Sequence, residues 1–187
     1  MRPRSLLLLA LFFVLFYLLN TATEEPADPV ITGSRFEQEF DYYMSTVDST
    51  RFNAEGESRY RLQAERIVHF PSPELTTIDA PQLVIYEGQS GPWFLSAAYG
   101  TIEQDLERAE EKLELSENVL VQHTDNNGET YSIYTEALTI YLDSRYLITE
   151  SDVLMETENR EISSQGMTAD LMTKHLTFLG NVRGRYE

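Results

Sequence analysis

The chain has 187 residues, no cysteine and a formal charge of −17, and from Glu24 onward it carries 12 Lys and Arg against 31 Asp and Glu, a balance of −19. Without clustered cations to displace counterions, such a surface repels nucleic acid and anionic membrane. The lack of cysteine excludes a disulfide framework, a thiol nucleophile, a Cys-based zinc site and a lipoprotein acylation site, and the length suits one domain with a real core.

The N-terminus, MRPRSLLLLALFFVLFYLLN, sets Arg2 and Arg4 before an uncharged, mostly apolar run from Ser5 to Leu19, with no further charge before Glu24. As a helix that uncharged stretch is roughly 28 Å long at about 1.5 Å per residue, close to the roughly 30 Å hydrocarbon layer. The arginines hold their end in the cytoplasm and send the rest of the chain across the membrane. A cleaved signal peptide shares the charged start, the apolar run and the length. Its best small-x-small site, however, is Asn20 to Ala22, with Asn in a small position. Residues 1–22 are therefore expected to be a retained transmembrane anchor. Residues 23–45, which begin with a Pro- and Glu-containing spacer, read as a linker, and residues 46–187 as one folded domain.

From Val47 onward, short runs rich in Val, Ile, Thr, Tyr and Phe alternate with turn signals such as FNAEGE, FPSPE, EGQSGP, TDNNGE, LDSR and SSQG. That spacing predicts an all-β chain. TEALTIYLD alternates Leu138, Ile140 and Leu142 with Ala137, Thr139 and Tyr141. The final strand alternates Leu176, Phe178, Gly180, Val182, Gly184 and Tyr186 with Thr177, Leu179, Asn181, Arg183, Arg185 and Glu187. Against this, Glu103 to Glu117 is built of helix formers, so a helical or turn insertion over residues 104–111 stays open.

One phrase recurs. LELSENVLVQ (Leu113 to Gln122), LITESDVLME (Leu147 to Glu156) and LTFLGNVRGR (Leu176 to Arg185) each have Asn or Asp at the sixth place and Val at the seventh. LTTIDAPQLV, from Leu75 to Val84, is a looser copy with Pro81 at the Val position, and the four starts lie 38, 34 and 29 residues apart. Extended leftward, each unit reads strand, turn, strand, and such a unit buries its apolar face only by stacking on its neighbours. Asn and Asp tolerate unusual backbone angles, so the sixth place suits a kink or bulge. A solenoid or a rolled, jellyroll-like antiparallel sheet follows.

Signals for chemistry are weak. His69, His123 and His175 are isolated, and no H-x-x-x-H or H-E-x-x-H spacing exists. Gly88 to Gly91 lacks the spacing of a nucleophile elbow. Asn127-Gly128 within DNNGE is a hairpin turn signal, and the segment is too short for an EF-hand loop. No catalytic residue, metal site or cofactor is expected, although an envelope glycan-acting enzyme using two of the carboxylates, or a purely structural β-solenoid scaffold, remains an alternative.

An N-terminal anchor followed by FNAEGESRYRLQAERIVHF (Phe52 to Phe70), LTTIDAPQLVIY (Leu75 to Tyr86) and the closing GMTADLMTKHLTFLGNVRGRYE resembles the LptC family of bacterial lipopolysaccharide export proteins over nearly the whole chain. The resemblance implies a single-pass inner-membrane protein with a periplasmic β-jellyroll. It also implies partners: lipopolysaccharide itself, LptF/LptG-like transporter subunits with an LptB-like ATPase at the N-terminal end, and an LptA-like periplasmic protein at the C-terminal end. Alternation and repeat alignment place Ile78, Leu115, Val119, Leu176, Phe178 and Tyr186 toward an apolar interior, with Val47 where lipid enters. The last strand, through Leu176, Phe178, Gly180, Val182, Gly184 and Tyr186, carries no blocking proline and is the expected partner edge.

Overall fold

The computed structural model describes residues 40–86 and 91–186. The expected anchor at 1–22, most of the linker and residues 88–90 of the Gly88 loop lie outside them, and among the described residues no helix is long and apolar enough to cross a membrane.

Among the described residues, eleven strands form one antiparallel sheet. They are β1 (Tyr42–Phe52), β2 (Ser58–Pro71), β3 (Glu74–Asp79), β4 (Gln82–Ile85), β5 (Trp93–Ser96), β6 (Tyr99–Asp105), β7 (Glu110–Thr124), β8 (Thr130–Tyr141), β9 (Tyr146–Glu156), β10 (Arg160–Asp170) and β11 (His175–Tyr186). Strand begins at Tyr42, so residues 42–45, expected in the linker, belong to the sheet, where Tyr42 to Ser45 pair with His69 to Arg66.

Two of the breaks are local. β2 pairs with β3 through Arg66 to Pro71 and with β4 through Tyr60 to Gln63. β7 pairs with β6 through Glu110 to Ser116 and with β5 through Leu120 to His123. β3 and β4 are thus one strand interrupted at Ala80-Pro81, and β5 and β6 one strand interrupted at Ala97-Ala98. The chain is a plain meander, each long strand laid beside the one before.

The interruptions line up across the sheet. Thr46, Ala80, Glu117, Asn118, Gly166 and Asn181 all have positive φ, and the register slips between Ser116 and Val119, Thr135 and Thr139, and Gln165 and Met167. At the crease, Ala80 N–H donates to the Ala98 carbonyl and Ala98 N–H to that of Glu117. An extra residue in a strand reverses its alternation. In β8 the buried positions accordingly change parity, from Ile133 and Thr135 to Leu138 and Ile140. Both halves of each strand therefore turn their apolar side inward, and these sides meet in one cluster.

The recurring phrase is where the bending occurs. Its sixth residue takes φ of 55° at Asn118, 49° at Asn181 and 50° at Ala80 in the looser copy. Asp152 is the exception. It lies opposite Gln165, and the bend there falls to neighbouring Gly166 at φ 81°. A Cβ on Gly166 would stand 3.1 Å from the Thr149 carbonyl oxygen, so both the angle and the space require glycine.

Beside the bulges, buried hydroxyls donate to backbone carbonyls. Thr149 Oγ1 donates to the Ala137 carbonyl at 2.6 Å, Thr135 Oγ1 to that of Asp152 at 3.0 Å, and Ser164 Oγ to that of Gly166 at 3.0 Å.

Residues 103–117, composed of helix formers, are strand, turn and strand. Asp105 Oδ1 accepts the amides of Glu107 and Arg108 at 2.9 and 3.0 Å, and Ala109 closes the turn with φ of 55°. Leu106 is exposed while Leu113 is in the core. The pair seven apart has no common surface to cover, so helix propensity has no packing to support it. Asn127-Gly128 forms the expected hairpin, with Asp125 Oδ1 accepting the amides of Asn127 and Glu129.

Candidate lipid groove and docking edges

The interior face runs from the first strand to the last. Ile78 pairs with Gly100, Gly100 with Leu115, and Leu115 with Leu138. Gly100 allows this row to close, because a Cβ there would lie 3.3 Å from Leu113 Cδ1 and Pro81 Cγ. Of the residues expected to face the interior, Ile78, Leu115 and Val119 are each 1% exposed in the central cluster. Val47, Leu176 and Phe178 are half-buried against the same cluster. Val47 lies opposite Ala64 on β2, and Leu176 and Phe178 lie opposite Ala169 and Met167 on β10. Tyr186 stands apart: it is 77% exposed, at the free end of β11, with Arg160 over its ring.

The middle of this interior is filled by its own side chains. At its side lies a cavity of about 380 Å³ bordered by Trp93, His123, Tyr131, Ile133 and Leu176. Elsewhere the strand ends of the two halves are tied together by charge. Arg59, at the start of β2, donates to the carbonyls of Leu142 and Asp143 in the β8–β9 turn, and Arg51 pairs with Glu111 at 3.2 Å.

β11 is bonded only to β10, so its other edge has no partner strand among the described residues. Gly180 and Gly184 lie opposite Gln165 and Ile162, while Val182, Arg183 and Arg185 are exposed. The sheet has a second such edge, which sequence reasoning missed. β1 is bonded only to β2, and it exposes Tyr42, Tyr43, Met44 and Phe52. Its charges are partly occupied, since Arg61 of β2 forms a bidentate pair with Asp48 and holds that carboxyl below the usual range.

Among the described residues no three His, Asp or Glu side chains are grouped to hold a metal. His69 bonds Thr76 and stacks on Tyr42, His123 stacks on Trp93, and His175 is exposed. Lys112 is gripped by Glu103 at 2.6 Å and Glu114 at 3.0 Å, which raises its pKa and keeps it charged. Sequence reasoning also missed the buried hydroxyls and the Arg59 tie. The hydroxyls left a trace, being lone Thr or Ser on otherwise apolar faces beside the kinks.

These features define a class, a creased antiparallel sheet of β-jellyroll type with an apolar interior and a bare strand edge at each end. Its fold matches the crystal structure of LptH, the LptA homologous periplasmic component of the lipopolysaccharide transport device of Pseudomonas aeruginosa, at a TM-score of 0.52. The match covers 68% of this chain and 94% of that one, at 10% identity. In sequence the chain is similar to the lipopolysaccharide export system protein LptC of Haemophilus influenzae, 22% identical over 190 aligned residues that span 92% of this chain and 87% of that protein. Residues 6–187 match the family described as lipopolysaccharide-assembly, LptC-related, and the chain belongs to that family, which is not one of enzymes.

Proposed function

We propose that the chain carries lipopolysaccharide across one step of a transport bridge. Residues 1–22 anchor it in the inner membrane with the folded domain in the periplasm. It receives lipid from an ABC transporter with LptF/LptG-like subunits and an LptB-like ATPase at the end near Val47, and passes it to an LptA-like protein through β11. The observation that carries this reading is one apolar interior continuous from Val47 on β1 to Phe178 on β11, with an unpartnered strand edge at either end.

The energetics are consistent with binding through the tails. A domain of this charge repels an anionic head group, while each acyl CH₂ removed from water contributes about 0.8 kcal/mol, so several chains outweigh that repulsion. Because Ile78, Leu115 and Val119 fill the middle, acyl chains pass only if the two halves part. The half-buried residues Val47, Leu176 and Phe178 are the first to meet lipid. A free edge recruits another strand by main-chain bonding, with side chains such as Leu176 and Phe178 continuing the apolar floor into the partner.

A photoreactive residue at Val47, Leu176 or Phe178 should crosslink to lipopolysaccharide only with transporter and ATP present. Equal labelling at Thr177 and Arg183 would show the groove to be misassigned. Removing residues 176–187 should abolish capture of the LptA-like protein and leave membrane insertion intact, whereas cutting the chain at 24–30 should spare that capture. A mature N-terminus near Thr23 would exclude the anchor.

A further inference from the structure

We infer that the outer face of the sheet, turned away from the interior, carries a docking surface for a cationic amphipathic helix of a partner protein. Val84, Phe94, Leu120, Tyr134 and Leu154 form a stripe on that face across β4, β5, β7, β8 and β9. Val84 pairs with Phe94, Leu120 with Tyr134 and Tyr134 with Leu154. Phe94 lies opposite Gln122 and so diagonal to Leu120, within reach of an aromatic ring. The chain neighbours of each, such as Trp93 and Leu95 or Val119 and Val121, are buried, so strand alternation turns all five outward. None belongs to the interior cluster. Phe94 is 49% and Tyr134 41% exposed, and the other three are half-buried. Single exposed apolar residues are ordinary on a protein surface, whereas a contiguous stripe rimmed by polar groups marks an interaction site. The stripe lies in two grooves, of about 530 and 700 Å³, that meet at the Leu120–Tyr134 pair.

Charge selects the occupant. Along the outer crease beside the stripe, Glu117 stands in the β7 bulge opposite Glu136 of β8, and the Thr135–Val153 pair sets Glu136 next to Asp152 of β9. All three are exposed, and none is in an ion pair among the described residues. Like charges side by side on neighbouring strands weaken a sheet, and a cationic partner removes that cost. Arg61, in the first groove, is already held by Asp48. The second groove has a single lining cation among the described residues, Arg183, two strands beyond Leu154. A second copy of a domain carrying −19, a nucleic acid or an anionic bilayer meets repulsion here, while an apolar stripe on a sheet is covered by the apolar face of a helix. From β4 to β9 the stripe crosses four strand spacings, roughly 19 Å at about 4.8 Å each. That is the length of about 13 helical residues at about 1.5 Å. Apolar anchors at i, i+3, i+4 and i+7 then lie over Phe94 and Tyr134, and flanking Lys or Arg side chains reach Glu117, Glu136 and Asp152.

The probe is a fluorescein-labelled peptide of leucine and lysine, about 14 residues long, with leucine at helical spacing. Binding to the full-length chain in phosphatidylcholine nanodiscs is read by fluorescence polarisation after subtraction of empty nanodiscs. The expected result is saturable binding at least tenfold tighter than that of a leucine and glutamate peptide of the same pattern, or of a leucine and lysine peptide alternating residue by residue. Phe94→Ser with Tyr134→Ser should weaken binding at least tenfold. Glu136→Gln with Asp152→Asn should weaken it at least threefold and flatten its salt dependence. All four side chains are exposed, and an unchanged urea midpoint checks the fold of each variant. Independently of these variants, a photoreactive residue at Leu154 should label the peptide, and one at Thr177, on the outer face of the other half, should not. Absence of saturable binding, or equal labelling at Thr177, would overturn the docking surface. Equal binding of the three peptides, or affinity retained without both aromatic rings, would also overturn it, leaving only the diffuse attraction of a cation to an acidic chain.

Discussion

Arg59 and Asp143, 84 residues apart in sequence, join the two halves of the creased sheet: Nη1 lies 3.1 Å from the Asp143 carboxylate and Nη2 donates to the Asp143 carbonyl at 2.7 Å. The same Nη2 reaches the Leu142 carbonyl at 3.2 Å. A guanidinium donates in several directions at once from a rigid plane, so one side chain holds a turn that no strand pairing brings near it.

Arg59→Ala should therefore destabilise the domain by about 1.5–3 kcal/mol, the range for hydrogen bonds to charged groups, read as a lower urea midpoint at constant m. Arg59→Lys, keeping the charge but not the fork, should recover part. Glu111→Gln, which breaks a pair whose two side chains are each about half exposed, should cost no more than about 0.5 kcal/mol.

The hydroxyls at the crease give a second expectation. Thr149→Val preserves shape while removing the donor 2.6 Å from the Ala137 carbonyl. The loss should be about 0.5–1.5 kcal/mol, the range for a typical hydrogen bond, because Thr135 Oγ1 still reaches the same carbonyl at 3.4 Å. Thr139→Val, nearby on β8 but without a buried hydroxyl bond in this network, should change the urea midpoint little.

Backbone angle gives a third. Asn118→Val forces a β-branched residue to φ of 55°, and should cost at least about 1–2 kcal/mol. Asn118→Gly should be near neutral and Ala80→Gly neutral or stabilising. Thermal unfolding of the three variants checks the order, and equal melting temperatures would remove the crease from its role in the fold.

Acid should act through the turns. The Arg108 amide, aided by that of Glu107, holds the Asp105 carboxyl below the ordinary aspartate range, and the Thr173 amide does the same for Asp170. Since the folded values are depressed, these carboxylates stabilise the fold fully above the unfolded value of about 3.9, and the contribution is lost as pH falls through the lower folded values. Asp105→Asn keeps an acceptor without the titration. It should be less stable than the unaltered chain at pH 7, and the difference should shrink below about pH 4.

Much of this protein was legible in the residues themselves. Period-two alternation around Leu138 and Leu176, and Asn before Val in the recurring phrase, state strand and kink locally, because side-chain direction and tolerance of positive φ are properties of a few neighbouring residues. The order of the phrases also indicated the family. Tertiary structure alone decided which apolar positions are sealed, as Ile78 and Leu115 are over Gly100, and which remain half-open, as Leu176 and Phe178 do at the last strand. It alone made an edge of β1, turned the helix-forming run after Glu103 into a hairpin, and set Arg59 against Asp143 and Trp93 against His123. Those relations depend on how far the crease folds one half of the sheet onto the other, and a distance set by packing between residues remote in the chain leaves no periodic trace in their sequence.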